Sequence, residues 1–137
     1  MNVSTADQNI NKIDAKAQES RLNVVVHIDD DTQWQEPVSK ICSYRGWPSG
    51  QILFFKSSKD ALGAVNSGRI SVSTISYLIV DSEGAEFAEM LMKDGLDSSK
   101  VLGFSRGHKL QKIGVDFTLP KSDILSLSLF VPSPIPN

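Results

Sequence analysis

Cysteine occurs once, at Cys42, and histidine twice, at His27 and His108, in a chain of 137 residues. One thiol excludes an internal disulfide and any cysteine-based zinc cluster, and two imidazoles are too few for a histidine-rich metal site. Charge is nearly balanced: 14 Lys and Arg face 16 Asp and Glu, a net charge of −2. Without basic runs or interleaved aromatics, the chain has no electrostatic footprint for nucleic acid. No apolar run approaches the roughly 20 residues that cross a bilayer as a helix. The N-terminal "MNVSTADQNINKIDAKAQES" also lacks the apolar core of a signal peptide. These absences lead to the expectation of a cytoplasmic protein that engages neither membrane nor nucleic acid.

What is present suits one globular domain, with 40% hydrophobic and 22% charged residues. Residues 1–21 are rich in Asn, Asp, Ala, Gln and Ser. They bury too little to offset ordering entropy, and are expected to form a flexible tail. Residues 132–137 form a proline-rich tail, expected to be extended. Between them, over 22–131, short apolar runs recur at "LNVVVHI", "QILFF", "SYLIV", "KVLGF" and "VDFTL". Such near-continuous runs fit strands covered on both faces. The segments between them read as helices. Asp31 or Thr32 can cap the first, with Trp34, Val38, Ile41 and Cys42 on one face, and Pro37 should shift its start or kink it. "SKDALGAVNSG" fits a second helix closed by Asn66 or Gly68, and "GAEFAEMLMKDG" a third with Phe87, Met90 and Leu91 inward. "RGHKLQKIG" leaves room for two turns at most, and "KSDILSLSLF" fits a last helix. Five strands alternating with helices predict an α/β fold, doubly wound around a parallel sheet.

In open parallel sheets ligands bind beyond the carboxyl ends of the strands. Asp29, Asp30 and Asp31 follow the first strand, Asp81 the third, Ser105 the fourth and Lys121 the fifth. Carboxylates, a hydroxyl and an ammonium meeting on one edge suit phosphoryl transfer to a carboxylate. Two acids hold a hard divalent cation, a third is the nucleophile, and Ser and Lys bind phosphoryl oxygens. Mg²⁺ fits best, because carboxylates, water and phosphate oxygens are its usual shell.

The spans "VVVHIDDDT", "YLIVDSE", "VLGFS" and "GVDFTLPKS" resemble, in that order, the receiver domain of two-component response regulators. The resemblance covers roughly residues 22–130 and implies a flavodoxin-like five-stranded sheet of order 2-1-3-4-5. It implies that Asp29 and Asp30 bind Mg²⁺ together with Asp81, and that Asp81 accepts the phosphoryl group. The backbone carbonyl of Glu83 would complete the metal shell, Ser105 would be the switch hydroxyl and Lys121 the phosphate-contacting lysine. The implied partner is a histidine kinase or a histidine phosphotransfer protein, with output through a downstream protein target. The spacing from Gly114 to Lys121 also matches the family.

Several positions depart from the pattern. Proline precedes the lysine, as Pro120, where the family places one after it, and Ser122 follows. Thr118 stands three residues before Lys121, where the family has its switching aromatic, and Phe117 is one place off. Arg106 follows Ser105, where a small residue is usual. The separations of 24 residues from Asp81 to Ser105 and 16 from Ser105 to Lys121 are shorter than usual and require a stunted fourth helix.

Other readings remain beside this one. The departures favour a degenerate receiver that binds protein without phosphorylation. "DDDT" superficially fits the Asp-x-Asp of haloacid-dehalogenase-like phosphatases, but Gln33 stands where Thr or Val belongs, and no second acidic pair follows Lys121. An electron carrier sharing this fold would need a phosphate-binding loop rich in Ser/Thr/Gly after the first strand, and none is there. His27, inside a strand, reads as a hydrogen-bonded core residue, and Cys42 as packing. Asp31 reads as a cap, and Trp34 and Trp47 as buried rings.

Overall fold

The computed structural model describes residues 22–105 and 108–134. The expected 1–21 tail, Arg106 and the last three residues lie outside that range. The strands are β1 (Val24–Ile28), β2 (Ile52–Phe55), β3 (Ile75–Val80), β4 (Val101–Gly103) and β5 (Phe117–Thr118). They form one all-parallel sheet in the order β2-β1-β3-β4-β5. The helices are α1 (Gln35–Tyr44), α2 (Ser58–Asn66), α3 (Ala85–Lys93), α4 (His108–Lys112) and α5 (Leu127–Phe130). This is the flavodoxin-like α/β arrangement expected from the sequence, down to a fourth helix of five residues. Among the described residues no helix is long and apolar enough to cross a membrane.

The apolar runs lack polar alternation because both faces of the sheet are covered. Val24, Val26 and Ile28 of β1 and Leu78 and Val80 of β3 face a core closed by Ala61 and Ala64 of α2, Phe87 and Leu91 of α3 and Leu110 of α4. Val25, Tyr77 and Ile79 face the other core, closed by Val38 and Cys42 of α1 and Leu127 of α5. Cys42 is fully buried there, and burial pushes its thiol up to about 12, which leaves it a packing residue.

The element boundaries follow from local chemistry. Asp31 caps a 3₁₀ turn over Thr32–Trp34 by accepting from the Gln33 N–H at 3.2 Å. That turn delays α1 to Gln35 and leaves Pro37 in its first turn, where no backbone N–H is required. Ser57 caps α2 through the Asp60 N–H, and Gly68 supplies the left-handed residue (φ +80°) just beyond its end.

The last helix differs from expectation. Instead of a helix over 121–130, 3₁₀ turns run from Lys121 to Ser126, with Asp123 off helical geometry, and only Leu127–Phe130 is α-helical. Serines bring this about. Ser126 Oγ bonds Asp123 Oδ1 at 2.9 Å and Ser128 Oγ donates to the Leu125 carbonyl at 3.2 Å. Such local bonds give the backbone alternatives to a regular helix.

The register matters most for function. Ile28 is level with both Phe55 and Val80, Val80 with Gly103, and Gly103 with Thr118. The strands therefore end in a row, and the residues after them emerge along one edge.

Candidate functional site

At the middle of that edge the chain turns off the sheet after β1 and β3, the adjacent strands where the winding direction reverses. The Asp29 N–H still donates to the Phe55 carbonyl and the Asp81 N–H to the Ile28 carbonyl, each at 3.1 Å. These bonds fix both acids rigidly to the sheet. Asp29 is fully buried and Asp81 nearly so, whereas Asp30 is exposed. Oxygens of Asp29, Asp30 and Asp81 lie within 4.8 Å of one another.

Lys121 reaches back over this cluster from beyond β5. Its Nζ is 2.8 Å from Asp29 Oδ2 and 3.7 Å from Asp81 Oδ2. The same ammonium lies 5.7 Å from the centre of the Trp34 ring, which itself packs edge-on against Phe104. The remaining carboxylate oxygens are also held. Asp29 Oδ1 accepts from the Asp31 N–H and Asp81 Oδ1 from the Glu83 N–H, both at 2.9 Å. Above the acids opens a cleft of about 460 Å³ lined by Asp30, Asp81, Ser82, Ser105, Lys121 and Ser122.

The two buried acids are driven in opposite directions. Burial would raise the Asp29 carboxyl, but His27, Lys121 and the Asp31 N–H outweigh it and hold the group well below the usual carboxylate range. At Asp81, burial and then the Asp29 charge push the carboxyl up to about 7, against the Glu83 N–H and Lys121. Three carboxyls beside one ammonium leave an excess of negative charge on hard oxygen donors. That donor set fits Mg²⁺ or a similar hard cation.

The residues singled out in the sequence thus meet in large part. Asp29, Asp30, Asp81, Ser105 and Lys121 converge, and Asp31 stays outside as a cap. Glu83 contributes its N–H to Asp81, while its carbonyl accepts a 2.6 Å hydrogen bond from Ser58 Oγ. Ser58 also accepts from the Phe87 N–H at 3.1 Å and so ties the start of α2 to that of α3. Thr118 sits half-buried in β5, and Phe117 beside it is half-exposed.

Three features were not legible beforehand. Trp34 is half-buried at the rim and presents its face to Lys121, where the sequence suggested a buried ring. Ser58 carried no signal beyond its place near a cap. His27 is buried as expected, yet its Nε2 has no hydrogen-bond partner among the described residues and stands 3.8 Å from Asp29 Oδ2.

A scan against protein-family models gives no match, and a search of the curated proteins gives none either.

Proposed function

We propose that this chain is a single-domain receiver of phosphorelay signalling, which accepts a phosphoryl group on Asp81 and signals by binding another protein. The observation that carries the reading is the meeting of the Asp29, Asp30 and Asp81 carboxylates within 4.8 Å, with the Lys121 ammonium 2.8 Å from Asp29. Asp29, Asp30 and Asp81 would hold Mg²⁺, with the second lone pair of the Glu83 carbonyl as a further donor. When bound, the cation supplies positive charge against the acids and the phosphoryl oxygens. The donor is a phosphohistidine on a histidine kinase or histidine phosphotransfer protein, and such a receiver works in the cytoplasm.

The chain's own groups have distinct tasks. An Asp81 oxygen attacks phosphorus as the P–N bond of the donor breaks. The electron pair stays on the imidazole nitrogen, and an acyl phosphate forms on Asp81. The Glu83 N–H holds the other oxygen and orients the attack. Lys121, already at the acids, offers its ammonium to a phosphoryl oxygen, and the Ser105 hydroxyl lines the same cleft. The added charge then draws these groups inward and biases the loops that carry them.

Titration with beryllofluoride and Mg²⁺, a phosphoryl mimic, tests the reading. Trp34 fluorescence should change as Lys121 leaves its ring, and an Asp81→Asn variant should not respond. A flat response in the wild-type chain, or an equal one in the variant, sinks the assignment. One observation favours the second reading, a receiver-like binding module without phosphorylation: Ser58 holds the Glu83 carbonyl at 2.6 Å. A flat titration would leave that reading standing.

A further inference from the structure

We propose that His27 is a positioning residue of the cation site, its Nε2–H holding Asp29 Oδ2 from inside the core. The inference rests on the reading of Asp29 as a cation ligand. His27 lies two residues before Asp29 on β1, so both side chains leave the same face of the strand. It is 2% exposed and Asp29 is 0% exposed. An aliphatic residue would fill this place in the sheet without any polar group. A buried imidazole nitrogen with no partner is costly unless some state of the protein satisfies it.

Asp29 is the acceptor within its reach. The charged groups facing His27 are Asp29 and Lys121, and an ammonium accepts no hydrogen bond. The Phe54 ring stands edge-on 5.1 Å from the imidazole and fixes it from β2, leaving Nε2 3.8 Å from Asp29 Oδ2.

Around Asp29 the arrangement is asymmetric. Oδ1 is held by the Asp31 N–H, and Oδ2 has Lys121 on its cleft side and His27 on its core side. A divalent cation in the cleft repels the ammonium of Lys121, which shares that side of Asp29, whereas the buried His27 ring stands behind the carboxylate. As Lys121 is pushed from Oδ2, the imidazole N–H closes on that oxygen and keeps the carboxylate aimed at the cleft. Donors of this kind behind a metal ligand typically change affinity by about 10- to 100-fold.

The test is Mn²⁺ titration of the full chain, with Mn²⁺ serving as a paramagnetic stand-in for Mg²⁺. Wild type should bind, and Asp29→Asn and Asp81→Asn should lose binding, which checks the underlying site by itself. His27→Leu should bind about tenfold more weakly, while His27→Gln, which keeps an N–H, should recover most of the affinity. A purely structural histidine would instead shift the melting temperature and leave Mn²⁺ affinity alone. Should the Leu variant fail to fold, the wild-type chain still answers: adding Mg²⁺ should move the Nε2–H proton resonance of His27 downfield. Equal Mn²⁺ affinity in a folded His27→Leu, an unmoved resonance, or ¹⁵N hyperfine coupling showing direct ligation would each overturn the proposal. If wild type itself binds no Mn²⁺, the cation site fails and this inference with it.

Discussion

Asp29 and Asp81 carry the same side chain on neighbouring strands, yet the site drives their carboxyls apart. Asp81 ionises near 4 in the unfolded chain and at about 7 in the fold. Without a cation, its burial therefore weakens the fold progressively as pH rises from about 4 through 7. Asp29 acts in the opposite sense: its contribution is present above about 4 and is lost as pH falls toward 2. Asp81→Asn removes the first effect. In metal-free buffer its melting temperature should exceed that of wild type at pH 8, and the gap should shrink toward pH 4. Parallel melting curves over that range would show that Asp81 is not destabilised. The identities of Asp29, Asp30, Asp81, Ser105 and Lys121 were legible because each follows an apolar run. The opposed ionisation of Asp29 and Asp81 was not, because it depends on burial, on the closeness of the two carboxyls and on the approach of His27 and Lys121 to Asp29.

At the scale of elements, the site hangs on short turns leaving the sheet. Gly84 ends the 3₁₀ turn after Asp81, and a Cβ there would lie 2.7 Å from Val80 Cγ1 and 3.0 Å from Ile28 Cβ. Its backbone is ordinary, so the demand for glycine is one of space. Gly84→Ala should destabilise the domain by about 1–3 kcal/mol, read from urea unfolding, because the turn must lift away from β1 and β3. An unchanged midpoint would mean that the turn yields freely. The strands and the first three helices were readable from periodicity, and the stunted fourth from the few residues left between β4 and β5. The last helix was not, since its apolar spacing agrees with a helix while its serines bond locally and break it into 3₁₀ turns.

For the molecule as a whole, closure depends on the chain beyond α5. The Trp47 indole donates to the Pro132 carbonyl at 2.7 Å and Arg45 Nε to the Val131 carbonyl at 3.0 Å. These bonds pin the exit of the chain against the α1–β2 connection, so the start of the proline-rich segment is anchored. Trp47→Phe removes one such bond and should lower stability by about 1 kcal/mol in chemical unfolding. Because the chain has two tryptophans, the variant also leaves Trp34 as its only indole fluorophore. A wild-type unfolding midpoint in the variant would mean that the Trp47 bond adds nothing to closure.

The sequence by itself determined the layered fold and the order of its chemistry. Apolar runs of strand length demand cover on both faces, and right-handed crossovers then bring the polar residues after each run to one edge. Only the tertiary structure decided how those residues share charge. The level register of β1 and β3 sets Asp29 beside Asp81, and the return of the chain after β5 brings Lys121 to both and to Trp34. The same packing leaves the His27 nitrogen facing Asp29 without a bond. These are contacts between residues far apart in sequence, and local propensity and periodicity cannot specify them, because they depend on angstrom-scale distances that exist only once the sheet has closed.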